Sequence, residues 1–212
     1  MKEPLKIVSY CIIRNNEVFH DHNMIFRNET TVNTLDFLKS IYKKYNLNYP
    51  KFFKMDNLCK LGFLTNEILL SSKNITNPLI PEATGIVISN ASSSLDTDFN
   101  FQNTIKDSSN YFPRPAVFVY TLPNILIGEI CIKQKITGES IFFVCEKFDA
   151  SLIFNYVSDL FETGKVKQCI CGWVDLIEDK YNSVLFFIER STGITDENTI
   201  FNEENISTIF LN

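Results

Sequence analysis

Residues 138–164 read Gly-Glu-Ser-Ile-Phe-Phe-Val-Cys-Glu-Lys-Phe-Asp-Ala-Ser-Leu-Ile-Phe-Asn-Tyr-Val-Ser-Asp-Leu-Phe-Glu-Thr-Gly, and their reading decides the fold. The run Ser140 to Cys145 is apolar without polar alternation and reads as a strand. Asp149 to Thr163 then carries apolar residues at helical spacing. On a helical wheel Ala150, Leu152, Ile153, Phe154, Tyr156, Val157, Leu160 and Phe161 cover an arc of roughly 200°, twice the minimum stripe of a surface helix. That helix is expected to be contacted on two sides.

The same alternation extends outward. Residues 5–13, 84–89, 168–176 and 183–189 read as further strands, the last two joined by the turn Glu178-Asp-Lys. Helical periods run over Thr34 to Tyr45, Met55 to Leu70, 96–106 and Asn124 to Lys135, with Asp56 placed to favour a helix N-terminus. His20-Asp21-His22 reads as a solvated turn, and Ile206, Ile209, Phe210 and Leu211 as a docking segment in a polar tail. Strands alternating with helices imply an α/β fold. The expectation is a mixed, mostly parallel five-stranded sheet with helices on both faces, in a single domain over residues 1–212.

Composition narrows the function. The chain has 212 residues, 45% hydrophobic, with nineteen Phe and eight Tyr to fill a core. Net charge is −5, and the basic stretches Lys43-Lys44 and Lys133 to Lys135 are too short for a nucleic-acid stripe. The same acidity disfavours anionic membranes, and no apolar run reaches the length of a span. Met1-Lys2-Glu3-Pro4 opens directly into a strand without a signal-peptide pattern, so a cytoplasmic protein is expected. There the six scattered cysteines are expected as free thiols.

Four stretches, in order, resemble the N-terminal half of β-ketoacyl-carrier-protein synthases of the thiolase-like superfamily. They are Lys54-Met-Asp-Asn-Leu58; Gly85-Ile-Val-Ile-Ser-Asn90 with Leu95-Asp-Thr-Asp-Phe99; Thr121-Leu-Pro-Asn124 with Gly128-Glu-Ile and Gly138-Glu-Ser; and Gly164 with Ile170-Cys-Gly-Trp-Val-Asp175. The resemblance covers most of residues 50–190. In that family a nucleophilic cysteine begins the helix that follows the Gly-Pro-Ser turn. Lys147 falls there by three counts: nine residues after Gly138, seventeen before Gly164 and twenty-five before Gly172. A synthase needs a thiolate to carry the acyl group and two histidines from its C-terminal half to drive decarboxylation. The chain is expected to lack that half, and His20 and His22 match no catalytic motif.

The resemblance therefore implies a half of the thiolase-like fold and a non-catalytic subunit. It would pair with a full-length synthase, or with itself as a homodimer, and possibly meet an acyl carrier protein, in fatty-acid, polyketide or aryl-polyene biosynthesis. Chain-length-factor subunits, which lack the cysteine, are the precedent. Phe118, Tyr120, Phe142 and Phe148 would line the acyl tunnel or the dimer interface. No cofactor and no metal are expected.

Each reactive candidate has a plainer reading. Lys147 could attack a carbonyl, or be a lysine tolerated where a nucleophile was lost. A cation at a helix N-terminus opposes the dipole by a few tenths to ~1 kcal/mol, which invites an acidic partner such as Glu146. Cys145 could be a displaced nucleophile, but two residues along a strand move the thiol about 6–7 Å, and a core cysteine fits better. His20 and His22 supply only two of the three or four ligands that zinc needs. Cys169 and Cys171 share one face of a strand, facing a core. Ser92-Ser-Ser94 without a glycine-rich loop is a plain polar loop rather than a phosphate cradle. Two other functions stay open: an acyltransferase or hydrolase using Cys145 or Lys147, and a module that binds an acyl chain or carrier protein.

Overall fold

The computed structural model describes residues 3–30, 33–191, 193 and 196–212. Met1 and Lys2, on which the expected opening depends, and part of the tail beyond Gly193 lie outside them. Seven strands form one sheet: β1 Leu5–Arg14, β2 Glu17–His20, β3 Asn23–Arg27, β4 Thr84–Asn90, β5 Ser140–Val144, β6 Gln168–Ile177 and β7 Lys180–Arg190. Their spatial order is β3-β2-β1-β7-β6-β4-β5. Among the described residues seven α-helices accompany them: α1 Thr34–Lys44, α2 Asn57–Leu70, α3 Leu95–Ile105, α4 Pro115–Phe118, α5 Ile125–Gln134, α6 Ala150–Glu162 and α7 Glu203–Leu211.

The α/β class and the helices on both faces agree with the sequence. The strand count and the balance of directions do not. Only β4–β5 and β4–β6 are parallel, whereas β1–β2, β1–β7, β2–β3 and β6–β7 are antiparallel. The reason is the pair of hairpins flanking the parallel part. Asn15 and Asn16 both take left-handed φ, 51° and 60°, the backbone of the tight turn that matches strand twist. The hairpin thus begun continues into β2 and β3, whose short, half-exposed sequences carry little apolar signal.

One core lies on each face. On the first, α1, α2 and α5 pack against Cys11, Ile13, Ile86, Ile88, Ile170, Leu185 and Phe187. Helix α2 is buried almost all round, which explains an apolar content beyond that of a surface helix. Asp56 caps it, accepting the Cys59 N–H at 2.9 Å and the Thr97 hydroxyl at 2.6 Å. On the second face, α6 and α7 cover Tyr10, Ile12, Val87, Cys169, Cys171, Val184, Phe186 and Ile188.

The wide arc of α6 is satisfied from two directions. Ile153, Val157, Leu160 and Phe161 are buried against the sheet. The other flank meets the chain's own C-terminal segment. Phe154 lies 5.6 Å from the Phe201 ring, and Ile206 of α7 is fully buried. Asn202 caps α7 through the Asn205 N–H at 2.8 Å, and the Arg14 guanidinium donates to Phe210 O at 2.9 Å.

Two glycines set how closely this sheet can pack. A Cβ on Gly172, at φ 144°, would meet Val184 O at 2.1 Å in the neighbouring strand. A Cβ on Gly138 would meet Thr84 O at 2.4 Å where the chain turns into β5. Both contacts are with backbone, which cannot swing aside. Gly172→Ala is expected to cost at least about 2 kcal/mol in chemical denaturation. Ile206→Ala is expected to cost about 2–4 kcal/mol, the range for a buried isoleucine, if α7 belongs to the cooperative core.

Candidate functional site

Strands β4 and β5 end side by side at Asn90 and Val144 while β6 runs on to Ile177, and the loop Cys145–Asp149 leaves the end of β5 to enter α6. The Cys145 N–H donates to Asn90 O at 2.8 Å, which anchors the loop to β4. The helix starts at Ala150, with Asp149 as its cap accepting the Leu152 N–H at 3.0 Å. Lys147 therefore stands three residues ahead of the first helical residue, and the helix end meets an anion rather than a cation. The expected dipole penalty falls away, because Asp149 supplies the favourable charge. Lys147 is exposed and forms no ion pair, with Glu146 or otherwise, among the described residues.

Cys145 is half-buried just beyond β5. Partial burial, and after it the Asp149 charge, push its thiol pKa up. Both effects oppose the thiolate that acyl transfer requires. The remaining described thiols are also free, and Cys169 and Cys171 face the α6 core together as expected.

The four aromatic candidates do not converge. Tyr120 and Phe142 pack on the α2–α5 core. The Tyr120 hydroxyl donates to buried Glu129 Oε1 at 3.0 Å, and Lys51 Nζ lies 2.8 Å from Glu129 Oε2. Burial, then this hydrogen bond, push the Tyr120 pKa far up. Phe148 belongs to the opposite core. Its ring stacks on Phe210 with centroids 4.0 Å apart and meets Trp173 edge-on at 6.0 Å. Phe118 is 56% exposed and touches Phe101 at 5.2 Å. It belongs to a surface segment from α3 to α5 that also exposes Phe99, Tyr111, Phe112 and Leu122.

The serine loop holds an anion of the chain's own. The N–H groups of Ala91 and Ser92 donate to Asp175 Oδ1 at 3.2 and 2.8 Å, and the Ser92 hydroxyl donates to Oδ2 at 3.2 Å. These donors are spent on a carboxylate, which removes the phosphate reading. His20 and His22 flank the β2–β3 turn and bond to Ser9 and Tyr10. Among the described residues no three His, Cys, Asp or Glu side chains group as metal ligands would.

The sheet has two edges of opposite character. Edge β3 carries Arg27, paired with Glu17 at 3.4 Å and Glu29 at 3.3 Å, and its pairing with β2 is broken by a bulge. Such charges and irregularities discourage another strand from adding. Edge β5, Ser-Ile-Phe-Phe-Val, has no charge, no proline and a regular register along β4. Ile86 N–H donates to Glu139 O and Cys145 N–H to Asn90 O, so by alternation the backbone groups of Ser140, Phe142 and Val144 face away from β4. Neither the charges nor the spacing of this edge was read from the sequence, although the absence of Lys and Pro in 140–145 was there to see.

This arrangement is similar in fold to part of the solved structures of β-ketoacyl synthases and chain length factors. Over 90% of its length the chain matches an ishigamide ketosynthase/chain length factor structure, at 13% identity and TM-score 0.65. It matches a ketosynthase in complex with its chain length factor from Xenorhabdus doucetiae at 12% identity and TM-score 0.56, again over 90%. A β-ketoacyl synthase from Burkholderia phymatum is similar over 89%, at 8% identity and TM-score 0.60. The chain spans 63%, 80% and 59% of those three chains. No family model and no curated protein matches the sequence. Among the described residues no single helix is long and apolar enough to cross a membrane.

The Cys145 environment makes a prediction. Alkylation by iodoacetamide proceeds through the thiolate, so the folded protein should modify Cys145 more slowly at neutral pH than an unfolded control does. The rate should climb only at a pH above the ordinary cysteine range. Peptide mass spectrometry across a pH series checks this; a fast reaction at neutral pH contradicts the environment described.

Proposed function

We propose that this chain is a non-catalytic, synthase-like subunit that pairs through the open edge of β5 with a complete β-ketoacyl synthase. The observation that carries the reading is the unguarded edge. In this uncharged five-residue strand Ser140, Phe142 and Val144 turn their backbone donors and acceptors away from β4, with Phe142 and Phe143 half-buried and Val144 57% exposed. An edge of this kind is a template for strand addition. The exposed aromatics between α3 and α5 supply apolar surface of the sort that interfaces bury. The neighbouring structures that include a ketosynthase with a chain length factor support a partner of the same fold.

The lack of chemistry in this reading rests on the loop before α6. Lys147 stands where the resemblance puts the nucleophile, and the one nearby thiol is held toward its neutral form. His20 and His22 are engaged on the far hairpin. The pathway would be one that builds a fatty-acid, polyketide or aryl-polyene chain on a carrier protein.

Co-expression with a cysteine-bearing β-ketoacyl synthase from the same organism tests the pairing. The two should co-purify as a stable complex. Val144→Lys should abolish the complex while changing the stability of the isolated chain by no more than about 0.5 kcal/mol, as expected for an exposed position. A chain that stays monomeric with every synthase offered contradicts the proposal, and self-association lost in Val144→Lys would assign the edge to a second copy instead. Incubation with acylated carrier protein should leave no acyl adduct on Cys145 or Lys147 by mass spectrometry. An adduct would restore the acyltransferase reading.

A further inference from the structure

The face that α6 and α7 cover is not covered to its end. Beyond α7, toward the β1–β2–β3 edge, a cavity of about 440 Å³ remains between α7 and the sheet. This size falls within the range of small-molecule sites. Its floor is apolar: Ile7, Ile12 and Phe19 from the sheet, with Ile209 from α7. One end of its wall is polar and built around Asp21.

Asp21 is held firmly. It sits in the left-handed region at φ 51°, and its N–H donates to Tyr10 O at 2.9 Å. Its Oδ1 accepts the buried Ser9 hydroxyl at 2.9 Å and the Tyr10 N–H at 3.0 Å. Ser9 in turn lies 3.1 Å from His20 Nε2. A bulge in β1 between Ile7 and Ser9 turns Ser9 toward this network. Oδ2 accepts only the Asn74 amide at 3.2 Å, and a carboxylate has room for about four donors.

The balance of donors and acceptors says what this wall can receive. The Asn205 amide spends both hydrogens on Glu197 O and Ile200 O, each at 2.8 Å. The Thr199 hydroxyl donates to Asp196 O at 2.8 Å. Ser9 and Asn74 are spent on Asp21. The wall therefore keeps acceptors, the Asp21 carboxylate and the Asn205 carbonyl oxygen foremost, while the donors of Ser9, Thr199 and Asn205 are used and His22, Thr208 and Asn212 complete the polar lining. Asp21 is the one acidic side chain of the lining, and the lining holds no Lys or Arg. A carboxylic or phosphate head would meet the like charge of Asp21.

We propose that this cavity binds a small organic cation: a primary ammonium group at Asp21, carried on a short apolar body over Ile12, Phe19 and Ile209. The charge-assisted bond to a fixed carboxylate gives orientation, and the apolar floor gives contact area. The site is separate from the loop before α6 and from the β5 edge, so it stands or falls independently of the pairing proposed above.

Amide-resolved NMR titration of the whole chain near neutral pH tests it, with hexylammonium as probe and hexanoate and hexanol as size-matched controls. Saturable shifts are expected at Asp21, His22, Asn205 and Thr208 with hexylammonium, with hexanoate showing none. Asp21→Asn keeps the size and tolerates the left-handed backbone, and should weaken hexylammonium binding about tenfold or more. Should that variant not fold, the wild-type comparison decides: hexanol binding as tightly as hexylammonium overturns the proposal. It is equally overturned by an absence of saturation, by binding of hexanoate, or by an Asp21→Asn chain that binds as before.

Discussion

A sheet whose two faces are both apolar must be covered on both, and in this chain the second cover is the most consequential contact. The face built from Tyr10, Cys171, Trp173, Val184 and Phe186 is closed by α6 and by α7. The junction is aromatic: Phe148, at the entrance to α6, stacks on Phe210 near the end of α7, with Trp173 edge-on to both rings. Ring pairs of this geometry add about 0.5–1.5 kcal/mol beyond the area they bury. The stack ties the loop that carries Lys147 to the last helix. Loop conformation, helix cap and tail docking are thus coupled through one cluster, and the wide arc of α6 finds its second neighbour within the chain.

The two sheet edges complement that closure. Burial protects the faces, but an edge keeps a row of unpaired peptide groups whatever covers the faces. Arg27, with Glu17 and Glu29, and the bulge between β2 and β3 guard one side. Nothing comparable guards Ser140–Val144. The asymmetry is a statement about solubility as well as partnership. An unprotected apolar strand carries an aggregation hazard unless another strand occupies it. The exposed rings from Phe99 to Leu122 point the same way, since isolated surface apolar residues are ordinary but a succession of them in one segment is not.

Much of this was legible in the sequence where the physics is local. Five helices, α1, α2, α3, α5 and α6, fell within a residue or two of their expected limits, with Asp56 and Asp149 capping two of them, whereas α4 lies in a proline-punctuated stretch and α7 in the segment read only as a docking tail. Strands β4, β5 and β6 were legible as apolar runs, although the run at Ser140–Val144 does not distinguish a buried strand from the half-exposed edge that β5 forms. The hairpin β2–β3 was not, since Glu17, His20, Asn23 and Arg27 break any apolar period. The turn that leads into it, Asn15-Asn16 between β1 and β2, is marked by a backbone preference rather than a hydrophobic one. The mainly antiparallel pairing comes from β1–β2 and β2–β3 together with β1–β7 and β6–β7. The candidate site was less legible. Phe118, Tyr120, Phe142 and Phe148 were grouped by sequence resemblance, yet strand alternation and helix packing send Phe148 to one face and Tyr120 and Phe142 to the other. Resemblance along a chain carries order and spacing; which face a side chain takes is settled by tertiary packing.

The position of Lys147 ties these strands of argument together. Two of the glycines from which its place is counted, Gly138 and Gly172, are dictated by backbone contacts too close for any Cβ. Those positions mark steric necessities of the fold, independent of any chemistry at the loop, and so are sound anchors for counting. The residue they point to has the opposite character. Lys147 is exposed, lies ahead of the helix cap and contributes no ion pair among the described residues. A reactive group at a helix N-terminus must be embraced by it, as a thiolate is by N–H groups. Here Asp149 has taken the Leu152 N–H instead. The helix end is satisfied by a carboxylate two residues further on, so a cysteine placed at 147 would not by itself gain a thiolate from the helix dipole.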